Sequence, residues 1–367
     1  MLKIDRRLVA HFDWALLTCT VLVVSCGLAT VFSATYSEAA PFSGILLRQM
    51  MWAGAGLVAL LLALSFDYHW LERYGYFIYA GALVLLILTP LIGTAGGGAR
   101  RWIAFGPVSI QPSEFAKIPV IVAIAAYIHR EVGDDPMPTR LLLGPVLLLI
   151  PPALLVLKQP DLGTALTICG TAAVVLLVAG LHWRLIAGVA TTAAVALPFL
   201  WPLLKDYQKQ RIWTFLDPQS DPLGSGYHII QSKIAIGSGM LFGKGYLHGT
   251  QTRLNFLPEQ HTDFIFAVFA EEWGFVGGLA LLGLYGALLT RCFIVAVRAK
   301  DNFGLLLASG LSAMIFGQVV TNMGMAMGAL PVVGITLPFF SYGGSSMLIS
   351  MIAIGLLMNI SMRRFTF

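Results

Sequence analysis

A polar string, residues 258–263, stands directly before one of the most apolar stretches of the chain. It contains Glu259, His261 and Asp263, and Asp263 is the last polar residue before Phe264 and the apolar run. A carboxylate with an apolar wall on one side and water on the other suits a tuned acid or base. The alternative is that Asp263 only caps the helix that begins there.

Metal binding is a further possibility for Glu259, His261 and Asp263, but their spacing matches no standard metal site. The four cysteines, Cys19, Cys26, Cys169 and Cys292, lie in or beside apolar runs, and no Cys and His spacing suggests zinc. The sequence therefore predicts no cofactor and assigns no metal ligand. A divalent cation near Asp263 stays open as an alternative.

Two further carboxylates lie within or between predicted spans. Glu114 and Lys117 are three residues apart at the start of a predicted helix, so they share one face and can pair. Such a pair either holds helices together or lines a substrate pocket. Asp161 follows a proline between two spans. It either caps the next helix or faces the same cavity as Asp263, where it tunes that residue or holds a cation.

Arginines in the predicted outer loops are candidates for binding an anion. Arg100 and Arg101 follow the glycines of 96–98, and guanidinium forks beside a glycine loop suit phosphate. Arg211 lies in a later loop. Anchoring at lipid headgroups is the alternative for all three, because arginine is common at that depth.

The chain that positions these residues is a membrane protein. It has 367 residues, of which 57% are hydrophobic and 11% charged, whereas soluble domains carry about 25% charged residues. Long apolar runs that contain glycine and proline indicate helices rather than a barrel. The net charge of +5 is spread over short loops, so the sequence does not indicate nucleic-acid binding.

We predict an all-α integral membrane protein, one domain over 1–367, with ten spans and one large extracytoplasmic loop at about 205–262. The predicted spans are 13–34, 46–65, 73–92, 112–128, 141–158, 162–181, 185–204, 263–290, 304–327 and 344–360. An even number places both termini on one side, and the excess of Lys and Arg in the loops of that side indicates the cytoplasm. The N-terminal segment with Lys3, Arg6 and Arg7 fits a short amphipathic stretch on the membrane face.

Three features near the large loop predict local structure. Tyr227 to Ile236 has the pattern of a short amphipathic helix. Glu271 could face the same cavity as Asp263, although a structural hydrogen bond to another span is the expectation for Glu271 and Glu272. Gly274 and Gly278 form a small-xxx-small pair that lets helices approach closely.

Several ordered motifs make the chain similar to a known family. They are Arg-Trp-Ile and Gln-Pro-Ser-Glu-x-x-Lys within 101–117, Gln-Pro-Asp-Leu-Gly-Thr at 159–164, Asp-Pro-Leu-Gly-Ser-Gly-Tyr-His-Ile-Ile-Gln-Ser-Lys at 221–233, Leu-His-Gly-Thr-Gln at 247–251, Leu-Pro-Glu-Gln-His-Thr-Asp-Phe-Ile-Phe at 257–266 and Pro-Phe-Phe-Ser-Tyr-Gly-Gly-Ser-Ser at 338–346. With them the chain resembles the SEDS family (shape, elongation, division and sporulation) over essentially its whole length. The motifs at 227–233 and 247–251 resemble the elongation, or RodA, type.

The resemblance implies a peptidoglycan glycosyltransferase of the bacterial cytoplasmic (inner) membrane that polymerises lipid II during cell elongation. Its implied partners are a class B penicillin-binding protein, which supplies the transpeptidase, and the elongation machinery. The family's essential carboxylate falls on Asp263, and Glu114, Lys117 and Asp161 match positions of its central cavity. On this basis Asp263 is the base or positions it, and Arg100, Arg101, Lys117 and Arg211 are candidates for the pyrophosphate, with His261 beside them.

Two other functions are compatible with the sequence. A transporter that flips lipid II would also need a deep cavity and intramembrane charges, although the sequence shows no repeat or coupling-ion signature for it. A non-catalytic scaffold that only recruits the penicillin-binding protein would not need Asp263. Polymer formation in detergent separates the first of these from a polymerase.

Overall fold

The helices of the protein follow the predicted spans closely. The computed structural model describes residues 12–37, 42–96, 99–106, 108–133, 135–203, 206–221, 224–254, 256–257 and 259–364. Its helices are α1 (Trp14–Ala34), α2 (Gly44–Ser65), α3 (His69–Ile92), α4 (Pro112–Glu131), α5 (Leu143–Lys158), α6 (Leu162–Val178), α7 (Trp183–Leu200), α8 (Asp206–Leu216), α9 (Ser225–Ser238), α10 (Thr250–Arg253), α11 (Ile265–Val297), α12 (Asn302–Ala326) and α13 (Gly344–Arg363). Each predicted span coincides with one helix, with ends that differ by a few residues. The amphipathic segment before α1 lies outside the described residues.

Length and composition support a multi-pass membrane protein. In the described part of the chain, seven helices are long and apolar enough to cross a membrane: α1, α2, α3, α5 with the turn before it, α11, α12 and α13. Of the other three helices at predicted spans, α6 and the first part of α7 are shorter apolar helices, and α4 carries charged residues at both of its ends. The mostly helical membrane fold is thus confirmed, while the number of ten spans and the single domain stay predictions.

Side-chain caps fix where several helices begin. Asp13 Oδ1 accepts the Leu16 N–H at 3.0 Å before α1, and Ser43 Oγ accepts the Leu46 N–H at 3.1 Å before α2. Asp301 Oδ1 accepts the Gly304 N–H at 2.7 Å before α12. Each bond satisfies one of the N–H groups that a helix start leaves without an intrahelical partner.

The centre of the bundle is formed by α4, α12 and α13. Every residue from Ala116 to Ala126 in α4 is buried. In the most apolar windows of α13 and α12, 83% and 67% of the residues are buried, against 22% in α2 and α3. The outer helices therefore present their leucine and isoleucine side chains outward, as helices in lipid do. The starts of α4 and α13 meet, since Gln111 N donates to Ser345 Oγ at 3.0 Å.

A small antiparallel sheet lies where the sequence predicts only an outer loop. Strands β1 (Thr94–Gly96), β2 (Ala99–Phe105) and β3 (Val108–Ile110) pair in the order β1-β2-β3. Ile103 lies opposite Ile110, and Ile103 is buried. β-branched and aromatic residues favour strands, but strands this short give too little alternation to be recognised in the sequence.

Helix α11 is broken at Gly274, where a segment of the outer loop packs against it. Gly274 has φ 66° and ψ −165°, a conformation essentially restricted to glycine. Phe275 N donates to Met240 O at 2.9 Å and Val276 N to Leu241 O at 3.0 Å. A Cβ atom on Gly274 would lie 2.3 Å from Gly243 N. The close approach predicted for this glycine is therefore to a loop rather than to another helix.

Candidate functional site

Asp263 lies in the turn that precedes α11 and is fixed there by α12. Asn322 Nδ2 donates both to the Asp263 backbone oxygen at 3.0 Å and to Ile335 O at 2.7 Å. Asn322 is fully buried. Gly334, at φ 72°, brings the loop before α13 close enough that a Cβ atom there would lie 3.5 Å from Asp263 Oδ2. The carboxylate is thus held between the turn, α12 and this loop.

Asp263 does not cap the helix that follows it. The N-cap position of α11 is Phe264, and this start has no side-chain cap hydrogen bond. The capping interpretation of Asp263 is therefore wrong, and its carboxylate is available for another role.

Burial and nearby charges tune Asp263, which precedes the membrane-spanning helix. Its pKa is raised to about 6, chiefly by burial and also by the negative charges of Glu259 and Asp161, while the positive charge of Arg211 lowers it. A carboxyl group with this pKa is mostly ionised at neutral pH yet binds a proton more readily than an ordinary aspartate. These charges also show that Asp161 and Arg211 lie near enough to act on Asp263.

Asp161 combines the two roles that the sequence posed as alternatives. Its Oδ1 accepts the Thr164 N–H at 3.1 Å and so caps α6. Its Oδ2 accepts from Ser113 Oγ and Gln111 Nε2, each at 3.0 Å. Asp161 therefore ties the start of α4 to the start of α6, and its charge acts on Asp263.

Glu114 and Lys117 form the predicted ion pair in the interior. Lys117 Nζ lies 2.6 Å from Glu114 Oε1, and the Lys117 side chain is 1% exposed. The ammonium is therefore occupied by Glu114 in this conformation rather than open to a pyrophosphate. Glu114 Oε2 is buried without a hydrogen-bond partner among the described residues, so the ion pair uses only part of the hydrogen-bonding capacity of the carboxylate.

Replacing Lys117 by methionine is expected to destabilise the protein strongly, because it leaves the Glu114 carboxylate buried and uncompensated. Breaking a buried pair from one side costs about 3–5 kcal/mol. Thermal unfolding of the detergent-solubilised protein measures the loss. The double variant Glu114→Gln with Lys117→Met serves as the control and should recover most of the stability. Equal unfolding temperatures for the single and double variants would contradict the assignment.

The two arginines of the sheet differ in their contacts. Arg101 donates from Nε to Gln159 O at 2.7 Å and from Nη2 to Pro160 O at 2.9 Å. Its guanidinium therefore fixes the turn before Asp161, which is a structural role that the sequence did not indicate. Arg100 is exposed on β2, and no described contact joins it to Asp263.

His261 lies beside the loop that precedes α13. Its backbone oxygen accepts the Tyr342 N–H at 2.8 Å, and the two rings lie 5.6 Å apart. Burial lowers the pKa of His261, and the charge of Glu259 partly offsets this. The imidazole is therefore neutral at pH 7 and can donate or accept a hydrogen bond. Among the described residues, no group of three or more His, Cys, Asp or Glu side chains is placed to hold a metal ion.

Two buried carboxylates of α11 hold the outer loop against the helix. Glu271 Oε1 lies 2.7 Å from Lys244 Nζ and accepts the backbone N–H groups of Thr250 at 2.8 Å and Gln251 at 3.0 Å. Glu272 accepts from Ser33 of α1 and from the Leu247 N–H. The predicted bond to another span is confirmed for Glu272, whereas Glu271 binds the loop instead of facing Asp263.

Asn322 is the site residue that sequence analysis missed. Its only signal was that it is one of two amide residues, with Gln318, inside the predicted span 304–327, and such a residue more often bonds a neighbouring helix than a loop. Taken together, the structure gathers Asp263, Asp161 and Arg211, places His261 beside them, and leaves Arg100 apart.

Comparison with known proteins gives a consistent result. The chain is 43% identical to the peptidoglycan glycosyltransferase MrdB of Escherichia coli K12 over 356 residues, which cover 96% of this chain and 94% of that protein. A chain from the structure of a peptidoglycan synthase complex that coordinates polymerization and crosslinking matches with a TM-score of 0.83 and 35% identity, covering 97% of this chain and 99% of that chain. The rod shape determining protein RodA of Thermus thermophilus matches with a TM-score of 0.73 and 33% identity, covering 97% and 98%. A family model described as a cell cycle protein and named for FtsW, RodA and SpoVE matches residues 13–365, so the chain belongs to that family.

Proposed function

We propose that this protein is a peptidoglycan glycosyltransferase that polymerises lipid II, with Asp263 as the carboxylate at the reaction centre. Relatives of the chain are named peptidoglycan glycosyltransferases. The observation that supports Asp263 in this role is its placement: Asn322 fixes the backbone of its turn, and burial together with the negative charges nearby raises its pKa to about 6.

The reaction assigns a proton and a pyrophosphate to specific groups. The 4-hydroxyl of the acceptor sugar attacks the anomeric carbon of the donor chain, and the bond from that carbon to the lipid pyrophosphate breaks. The hydroxyl proton passes to Asp263 as general base. The leaving pyrophosphate takes up the electron pair, and the guanidinium of Arg211 is placed to compensate its charge. Arg100 is a second candidate, since it is exposed on β2 of the small sheet.

Location and partners follow from the same proposal. The termini lie in the cytoplasm and the loop that carries α8, α9 and α10 lies outside, where lipid-linked sugars are polymerised. The excess of Lys and Arg in the inner loops supports this orientation. A class B penicillin-binding protein of the elongation machinery is the proposed partner, because a similar solved chain belongs to a complex that couples polymerization to crosslinking.

The pH dependence of the rate tests the role of Asp263. Because a base must be ionised, the rate should rise with pH through about 6, the value to which the pKa of Asp263 is raised. Glu259→Gln removes a charge that raises this pKa, so it should move the rise to lower pH. Arg211→Gln removes a charge that lowers it, so it should move the rise to higher pH. Initial rates with purified lipid II at a series of pH values measure both shifts.

The two variants control each other, because their predicted shifts have opposite signs. Only the position of the rise is compared, since Arg211→Gln also weakens pyrophosphate binding and lowers the rate at every pH. A rise that stays in place in both variants would contradict Asp263 as the titrating base.

The function itself is tested by polymerisation with the purified, detergent-solubilised protein and lipid II. Glycan polymer is the expected product, with a larger yield when the penicillin-binding protein is present. A parallel reaction with a chelator tests the hypothesis of a divalent cation at Asp263. Substrate that remains monomeric under all conditions would contradict a glycosyltransferase.

A further inference from the structure

A polar cavity of about 400 Å³ lies on the outer loop, between α8 and the turn that follows it. It is lined by Asp206, Lys209, Gln210, Trp213, Ser220 and Asp221, together with a buried threonine. Gln210 Nε2 donates to Asp221 Oδ2 at 3.2 Å across it. None of these side chains has a role in the reaction described above.

The chemistry of the lining fits a ligand with both hydroxyl groups and an apolar face. Trp213 is 58% exposed, and Trp201 packs edge-on against its ring with centroids 5.8 Å apart, which restricts the orientation of Trp213. Carboxylate, amide and ammonium groups beside an aromatic ring can accept from and donate to several hydroxyls while the ring covers the C–H face of a sugar.

A tryptophan at this depth can also anchor a loop at the membrane surface. An anchoring ring is surrounded by apolar side chains that enter the lipid with it. Here the ring shares its cavity with Asp206, Asp221 and Lys209, and a carboxylate that entered lipid would pay a large desolvation cost. The lining therefore favours a water-soluble, hydroxylated ligand over lipid.

The exposed Trp213 ring and Arg211 lie on different faces of α8. Residues advance about 100° per position around a helix, so Lys209 and Trp213 lie about 160° around α8 from Arg211. The charge of Arg211 acts on Asp263, so Trp213 lies on a different face of α8 from the residue that influences the reaction centre.

We propose that this cavity is a saccharide subsite that holds the growing glycan strand outside the reaction centre, with Trp213 as the platform for a sugar ring and Gln210, Asp206 and Asp221 as hydrogen-bonding partners. The inference rests on the proposed function. It adds a binding site whose effect is to keep the product attached between successive additions, so it determines chain length rather than the rate of each transfer.

Binding of a soluble glycan to the full-length detergent-solubilised protein tests the subsite directly. The probe is the tetrasaccharide of alternating N-acetylglucosamine and N-acetylmuramic acid, without peptide or lipid. Calorimetry should show that Trp213→Ala weakens binding about tenfold, and that Trp213→Phe retains most of it. Trp70→Ala is the matched control, because Trp70 is also an exposed tryptophan stacked on another ring, at the start of α3, and should leave binding unchanged.

Chain length gives the second readout. With lipid II, Trp213→Ala should shorten the glycan products while the initial rate of lipid II consumption stays near that of wild type. The Asp263→Asn variant should make no polymer and still bind the tetrasaccharide. Equal binding and equal product lengths for wild type and Trp213→Ala would overturn the subsite while leaving the polymerase intact. Absence of polymer from wild type would instead overturn the proposed function, independently of the binding result.

Discussion

Replacing Asp263 by asparagine is expected to abolish glycan polymerisation without unfolding the protein. Asparagine has nearly the same shape, and the Asp263 backbone oxygen that accepts from Asn322 at 3.0 Å is retained. In the proposed mechanism, the variant loses only the group that takes the acceptor proton. General-base catalysis contributes about 10²- to 10⁴-fold, so the initial rate of polymerisation from lipid II should fall by at least about a hundredfold.

The control for this variant is Glu259→Gln, which removes a carboxylate four residues away that acts on Asp263 only through its charge. It should keep measurable activity at pH values above the rise of its rate, which this substitution is expected to move to lower pH. Both variants should bind the penicillin-binding protein and unfold at temperatures close to that of wild type. Polymer from Asp263→Asn at a rate near that of wild type would remove Asp263 from the mechanism.

Replacing Gly274 by alanine should destabilise the protein where the outer loop packs against α11. The residue has φ 66° and ψ −165°, and a backbone conformation of this kind costs a side chain about 1–3 kcal/mol. The added Cβ atom would also lie 2.3 Å from Gly243 N and 2.7 Å from the Leu241 backbone. Since backbone atoms cannot move aside as a side chain can, the loop must separate from α11 and lose its hydrogen bonds to Phe275 and Val276.

Gly286→Ala is the matched control, because Gly286 lies on the same helix and an added Cβ atom there meets nothing within 4 Å. Alanine favours a helix interior over glycine by up to about 1 kcal/mol, so this variant should unfold at the wild-type temperature or above it. Thermal unfolding, together with proteolysis of the loop at 240–245, measures both changes. Equal resistance of Gly274→Ala and Gly286→Ala would contradict the proposed role of the break.

Sequence patterns predicted the helices well because apolar length alone determines where a chain can cross a membrane. They could not predict the break in α11. Gly274 and Gly278 have the spacing of a close helix pair, and the groups that occupy the break belong to a loop some 30 residues earlier in the chain. The small sheet was missed for a similar reason, since Ile103 finds its partner Ile110 only after the turn has formed.

The candidate site could be predicted from the sequence where a single residue stands out by its type and its position in the pattern. Asp263 stands at the change from polar to apolar sequence, so its position in the turn before an apolar helix follows from the pattern. Arg101 and Asn322 do not have such a signal, because their roles depend on which backbone oxygens the fold brings to them. Lys117 was a candidate because a charged residue inside a predicted span is unusual. Its ammonium group is paired with Glu114 and buried, so it is not accessible to substrate in this conformation.

Flipping and scaffolding are the two competing functions, and the structure bears on each. A scaffold needs neither a tuned Asp263 nor Arg211 near it. A transporter could use both groups, but it transforms no substrate. Glycosyl transfer, in contrast, forms a new glycosidic bond, which is a chemical product and needs no membrane compartments.

The most direct test is therefore the product formed from purified lipid II in detergent, where no two sides exist to be connected. Wild-type protein with its penicillin-binding partner should yield glycan strands on a gel, and the Asp263→Asn protein with the same partner should yield unchanged lipid II. Unchanged lipid II with wild type, or equal strands with both proteins, would contradict a glycosyl transfer centred on Asp263.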